Sequence, residues 1–192
     1  MAAASPFPPA CILLGKELAA VAERLRQITV RIGGSTGGTG SGVIWRPDGL
    51  IVTNAHVATA ALHDVALPDG RSFTARLLRR DPRCDLAMLQ IAADGLATAE
   101  AHNPCSMRPG EMLLAVGHPL GEAGAFVVGM LAAQPGPRAA FLRADIRLAP
   151  GNSGGPLADV AGRVVGINSM VFNGFGIAVT STAVEHFLAE AP

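Results

Sequence analysis

Ser153 sits in the run Gly151-Asn152-Ser153-Gly154-Gly155-Pro156-Leu157. A serine flanked by glycines on a tight turn lets a carbonyl substrate approach the backbone without meeting a Cβ. The amides of Gly151 and Ser153, with Asn152 between them, can converge on one point and hold a developing oxyanion. The plain alternative is a glycine-rich turn between two strands. Serine is a weak nucleophile unless an imidazole lies beside it, and that imidazole needs an anion to fix its tautomer and stabilise its charge. Both residue types occur upstream. His56, in Thr53-Asn54-Ala55-His56-Val57, follows an apolar segment, and Asp85, in Arg83-Cys84-Asp85-Leu86-Ala87-Met88-Leu89, opens another. Taken singly, His56 reads as a packed or solvated histidine and Asp85 as a turn residue. Together they predict acyl transfer, with Ser153 as nucleophile, His56 as general base and then acid, and Asp85 as orienting anion.

Such a constellation needs rigid elements beneath it. Leu18, Val21, Ala22, Leu25 and Ile28 recur at helical spacing and predict one amphipathic helix over 16–28. The Gly/Ser/Thr-rich stretch 33–42 reads as a loop, and it lacks the Gly-Lys-Ser/Thr ending of a phosphate-binding loop. Strands are predicted at 43–45, 50–53, 65–67, 72–78 and 86–91, with turns at Pro47-Asp48-Gly49 and Pro68-Asp69-Gly70. The polar stretch 93–110 separates them from a second set at 112–116, 126–131, 141–146, 157–158, 164–168 and 175–179. Thr182 and Glu185 have capping-box spacing ahead of Phe187 and Leu188, which predicts a closing helix. The reading is all-β, a barrel or sandwich. It divides into an N-terminal segment and helix (1–30), a first half with His56 and Asp85 (31–98) and a second with Ser153 (99–192).

Composition removes other classes. The 192 residues are 49% hydrophobic and 16% charged, enough apolar material for a core and too much for a disordered chain. Fifteen basic residues balance 15 acidic ones, and no basic run is longer than Arg79-Arg80, which argues against nucleic acid or anionic lipid as partner. No apolar run approaches the roughly 20 residues that span a bilayer. The start, MAAASPFPPACILLG, has no basic region and only a short apolar run, so a cytoplasmic location is expected if Met1 is the native start. A periplasmic or other extracytoplasmic location is expected if a leader has been trimmed. Cys11, Cys84 and Cys105 form no CxxC pair, and His63, His102, His118 and His186 have no metal-ligand spacing. Neither a metal nor a cofactor is expected.

The sequence resembles the protease domain of the HtrA (DegP-like) family of trypsin-fold serine proteases. The likeness is carried by Gly40-Ser41-Gly42-Val43-Ile44, the stretch through His56, Leu67-Pro68-Asp69-Gly70-Arg71, and Asp81-Pro82-Arg83-Cys84-Asp85-Leu86-Ala87. It continues through Gly117-His118-Pro119-Leu120-Gly121, the Ser153 run, Val165-Gly166-Ile167-Asn168-Ser169 and Gly174-Phe175-Gly176-Ile177-Ala178-Val179. The order His, Asp, Ser is that of chymotrypsin. The resemblance implies a chymotrypsin/trypsin-like double β-barrel with a helix at each end and the triad in the cleft between barrels. It implies a serine endopeptidase acting on unfolded or misfolded proteins, with protein or peptide partners and a homotrimeric or monomeric state. Ile167, Asn168 and Ser169 would pair with substrate backbone as an added strand. Met170, Phe172 and Ile177 would wall a pocket for small or medium apolar side chains. Arg147 could meet an acidic side chain there, although Asp145 is a local partner. The segment between Leu131 and Phe141 is shorter than the family's regulatory loop, no long loop precedes His56, and no PDZ domain follows within the 192 residues. Regulation by PDZ-bound peptides is then not expected unless further chain follows. The competing readings are a catalytically latent protease fold kept as a chaperone or binding module, and an esterase or acyltransferase using the same triad.

Overall fold

The computed structural model describes residues 9–33, 38–119 and 124–190. Phe7 and Pro8, residues 34–37 of the glycine-rich stretch, and Leu120 and Gly121 lie outside them. Helix α1 (Pro9–Gln27) begins well before the predicted start at Lys16. Proline is tolerated in a first helical turn, and Leu13 and Leu14 are exposed, so the early turns carry no amphipathic signal. Val21, Ala22 and Leu25 are buried on the face that meets the barrels.

Among the described residues twelve strands follow, one more than the sequence pattern predicts. The first barrel closes in the order β1 (Thr29–Gly33), β2 (Thr39–Ile44), β3 (Leu50–Thr53), β6 (Leu86–Gln90), β5 (Ser72–Asp81) and β4 (Leu62–Ala66), the last pairing back to β1. Gly33 and residues 39–42 of the stretch read as a loop are therefore strand, with Thr29 opposite Val43 and Gly33 opposite Thr39. Its glycines serve packing: a Cβ on Gly42 would lie 2.7 Å from Ile51 and 2.8 Å from Ile32, and one on Gly40 would lie 2.5 Å from Val57. Val30, Ile32, Ile44, Ile51, Val65 and Leu89 fill the interior.

The second barrel runs β10 (Pro156–Asp159), β11 (Val164–Phe172), β12 (Phe175–Thr180), β9 (Phe141–Asp145), β8 (Ala125–Ala133) and β7 (Met112–Gly117), and β10 pairs with β7 to close it. Leu113, Leu131, Leu142, Ile146 and Leu157 form its core. A third cluster joins Val21 and Leu25 of α1, Val52 and Leu86 of one barrel, and Leu114, Val116 and Ile167 of the other. The implied all-β double barrel with a helix at each end is what the chain adopts. No described helix is long and apolar enough to cross a membrane.

Helix α2 (Ser181–Ala189) starts earlier than the Thr182–Glu185 spacing suggests. The cap is Thr180, extended at φ −64° and ψ 147°, and its side-chain oxygen accepts from the Ala183 amide at 3.2 Å. Thr182 instead donates its hydroxyl to Thr180 Oγ1 at 3.1 Å. Arg79 of β5 holds the far end of α2: it donates to the Phe187 carbonyl at 2.8 Å and lies 4.6 Å above the Phe187 ring.

Candidate active site

His56 is carried by the turn that leaves β3. The carbonyl of Asn54 accepts from the amides of Val57 and Ala58 at 3.1 Å each, making a single helical turn. Asn54 Nδ2 donates to the Asp85 carbonyl at 3.0 Å, and Arg80 Nε donates to the Ala55 carbonyl at 2.8 Å. The turn bearing His56 is thereby tied to the turn bearing Asp85 and to β5.

Asp85 adopts φ +54°, a left-handed conformation that aspartate tolerates better than most residues. Its carboxylate faces back toward His56, whose Nδ1 is 2.9 Å from Oδ1 and 3.0 Å from Oδ2. The His56 amide donates to Oδ1 at 3.2 Å, and the hydroxyl of Ser169 donates to Oδ2 at 2.6 Å. Burial pushes the Asp85 carboxyl upward, but the hydrogen bonds from His56 and Ser169 outweigh it and hold the group below its ordinary value. An ionised carboxylate only accepts, so Nδ1 of His56 carries the proton, and the lone pair of neutral His56 is on Nε2.

Ser153 belongs to the second barrel, on the segment between β9 and β10. Asn152 donates its amide to the Ala149 carbonyl at 3.0 Å. With Pro150 at the second position and Gly151 at φ +102° at the third, residues 149–152 form a type II turn. Glycine is required twice more. Gly154 is at φ +85°, and a Cβ there would collide with the Ser41 carbonyl. A Cβ on Gly155 would collide with the Val116 carbonyl. The Ser153 hydroxyl donates to the Ser169 carbonyl at 2.9 Å. Ser169 thus touches Asp85 through its side chain and Ser153 through its backbone, which brings the three predicted residues of the two barrels to one place. Among the described residues, the amides of Gly151 and Ser153 have no protein acceptor. Asn152, between them, is buried.

Beside Ser153 lies a cavity of about 450 Å³, lined by Leu148, Ala149, Pro150, Ser153, Ser169, Met170 and Val171. Of the residues predicted to bind substrate, only Ser169 and Met170 reach it. Ile177 lies on β12 opposite Met170 and Arg143. Phe172 is exposed at the tip of β11, and Arg147 is exposed; neither lines the cavity. Ile167 is fully buried between β10 and β12. Asn168 has its amide bonded to the Gly155 carbonyl at 2.9 Å and its carbonyl bonded to the Gly154 amide at 2.8 Å. A residue paired on both sides has no backbone group left for a substrate strand. The free edge of β11 begins past Asn168, because β10 pairs only as far as Ile167 and the ladder with β12 shifts between Asn168 and Met170.

Two closed barrels, one carrying the His56–Asp85 pair and the other a glycine-flanked serine, define the trypsin-like class of architecture. A family model for the trypsin-like peptidase domain matches residues 40–167, and the chain belongs to that family. It is similar to proteins named "Probable periplasmic serine endoprotease DegP-like". The relative from Marinomonas sp. (strain MWYL1) is 39% identical over 150 residues, covering 74% of this chain and 32% of the relative. The one from Pseudomonas savastanoi pv. phaseolicola (strain 1448A / Race 6) is 41% identical over 143 residues, covering 71% and 30%. The one from Chlamydia pneumoniae is 34% identical over 145 residues, covering 71% and 30%. The chain spans about a third of the length of these curated relatives.

Proposed function

We propose that the chain is a serine endopeptidase that cleaves unfolded or misfolded polypeptides through an acyl-enzyme. The observation that carries this reading is the 2.9 Å contact between His56 Nδ1 and an ionised Asp85, next to a serine on a turn with two amides that have no acceptor among the described residues. In the reaction, the Ser153 hydroxyl leaves the Ser169 carbonyl and turns toward His56 Nε2, which takes its proton as Oγ attacks the scissile carbonyl. The Gly151 and Ser153 amides hold the oxyanion. His56 then gives the proton to the leaving amine, and water repeats the sequence to release the acyl group. No metal or cofactor enters these steps.

The neighbouring surface supports the substrate class. An extended peptide can add to the free edge of β11 from Ser169 onward, a mode that needs unpaired backbone and so favours unfolded chains. Met170, Val171 and Phe172 there are exposed apolar side chains. The apolar lining of the cavity suits a small or medium apolar residue before the scissile bond. With Arg147 outside the lining, an acidic preference has no support.

A second reading has one observation in its favour: the Ser153 hydroxyl is bonded to Ser169 and not to His56. A protein fixed in that arrangement is a latent protease fold serving as a binding module. Fluorophosphonate labelling of wild type and Ser153→Ala, with β-casein digestion alongside, separates the two. Labelling and casein cleavage that both vanish in Ser153→Ala are expected. A folded wild type that takes no probe overturns the peptidase reading.

A further inference from the structure

We propose that Ser41, on the opposite barrel from the nucleophile, is a positioning residue for the oxyanion hole, with His118 setting the direction of its hydrogen bond. The inference rests on the peptidase reading given above. Ser41 is fully buried in β2, and it holds the carbonyls on both sides of the triplet Gly151-Asn152-Ser153. Its amide donates to the Ser153 carbonyl at 2.8 Å, and its hydroxyl donates to the Gly151 carbonyl at 2.8 Å. These two residues are the ones whose amides would receive the oxyanion. Fixing each carbonyl fixes a peptide plane next to each amide, and the oxyanion donors are useful only when aimed before charge develops.

His118 decides which way the hydroxyl points. Ser41 Oγ lies 3.1 Å from His118 Nδ1 and also accepts from the His118 amide at 3.1 Å. A hydroxyl has one proton and two lone pairs. With its proton on the Gly151 carbonyl, both lone pairs must accept, so Nδ1 of His118 must be the donor. Burial and the charge of Arg31 lower the His118 pKa to about 4, so the ring is neutral near pH 7 and holds a single N–H. That N–H is therefore on Nδ1. The chain His118 Nδ1–H to Ser41 Oγ–H to the Gly151 carbonyl runs in one direction, and each bond polarises the next. The Gly151 carbonyl also accepts from the His118 amide at 3.2 Å, so the same two residues grip it twice. Glycine at 154 lets Ser41 come this close, because a Cβ there would displace the Ser41 carbonyl.

The test uses the full chain as wild type, Ser41→Ala and the hydroxyl-retaining Ser41→Thr. Turnover is read on a peptide p-nitroanilide with valine before the scissile bond, and circular dichroism checks folding. Ser41→Ala is expected to lower kcat about 10- to 100-fold with KM within about threefold, because losing an oxyanion donor outright costs roughly 100- to 1000-fold and this variant only loosens one. Ser41→Thr is expected to recover most of kcat. A purely structural role would lower the melting temperature and leave kcat of the folded enzyme intact. That result, or a wild-type kcat in folded Ser41→Ala, overturns the inference. If Ser41→Ala does not fold, the tautomer of His118 in wild type decides by ¹⁵N–¹H NMR: an Nδ1–H ring is expected, and an Nε2–H ring overturns the proposal. If wild type neither takes a fluorophosphonate nor cleaves the peptide, the peptidase reading falls, and the tautomer alone then decides whether the relay exists.

Discussion

The hydroxyl of Ser169 donates to Asp85 Oδ2 at 2.6 Å, while its own carbonyl accepts from the Ser153 hydroxyl at 2.9 Å. One residue of β11 thus spans the two barrels at the point where proton transfer would occur. Ser169→Ala keeps the carbonyl and removes only the bond to the carboxylate. A hydrogen bond to a charged group is worth roughly 1.5–3 kcal/mol, of which the exposed His56 side draws only part. A fall in kcat/KM of about tenfold on a peptide p-nitroanilide, with fluorophosphonate labelling retained, is the expected result. Unchanged turnover would mean that His56 alone suffices to hold Asp85.

Asp85→Asn separates geometry from charge. The amide still reaches His56, but it can present its NH₂ to Nδ1 and favour the tautomer with its proton on Nε2, which cannot act as a base. Loss of the anion in a triad of this kind lowers kcat by roughly 10⁴. Turnover in Asp85→Asn within tenfold of wild type would remove Asp85 from the proposed mechanism.

The pH dependence of stability should trace to His118. Its folded pKa lies near 4, against an ordinary value of 6.5, and the first cause is burial. As pH falls from 6.5, the unfolded chain takes up a proton that the folded one refuses. Folding is therefore weakened progressively down to about pH 4 and no further by this group. The full effect is about 3 kcal/mol. Urea unfolding of wild type and His118→Gln at pH 7.5 and 4.5 reads it. Wild type is expected to lose about 2–3 kcal/mol more than the variant across that interval, and parallel losses would show that the ring is solvated.

The chemistry was legible in the sequence because each triad residue sits in a short local motif: Thr53-Asn54-Ala55-His56, Cys84-Asp85-Leu86 and Gly151-Asn152-Ser153-Gly154. The strands of the second half were legible from their local pattern, whereas their closure into a barrel was implied only by the resemblance. What escaped was long-range. Gly40 and Gly42 read as flexible, yet they are strand residues whose missing Cβ atoms admit Val57, Ile51 and Ile32 from elsewhere in the chain. β1 went unread because the helical stripe ends at Ile28 and the strand begins at Thr29. Ser41 read as part of a loop and Ser169 only as a residue that pairs with substrate, since the partners of their hydroxyls lie 110 and 84 residues away in sequence. The resemblance placed Ile167 and Asn168 in a substrate strand because likeness in sequence does not reveal which edge of β11 is already paired.

Glycine positions separate conformational need from close approach. Gly70 is at φ +90° with open space around its missing side chain, whereas Gly154 at φ +85° faces the Ser41 carbonyl and Thr53 Oγ1. Gly70→Ala should cost roughly 1–2 kcal/mol, the ordinary penalty for a left-handed residue. Gly154→Ala should cost well over that and abolish turnover, because Ser41 must move away from the oxyanion turn. Thermal melts with activity assays check both, and equal penalties at the two sites would show that the 154 contact relaxes without consequence.

Specificity should respond to Met170, which lines the cavity of about 450 Å³ beside Ser153. A pocket distinguishes one methylene by about 1–3 kcal/mol, because unfilled space forfeits contact and overfilled space forces displacement. Met170→Ala deepens the cavity without touching the His56–Asp85 pair or the oxyanion turn. The ratio of kcat/KM for leucine over valine before the scissile bond should then rise by about tenfold, while the rate of fluorophosphonate labelling stays near wild type. Peptide p-nitroanilides differing only at that residue make the comparison direct. A ratio unmoved by Met170→Ala would place the side-chain pocket elsewhere, and the exposed tip of β11 around Phe172 would become the next surface to probe.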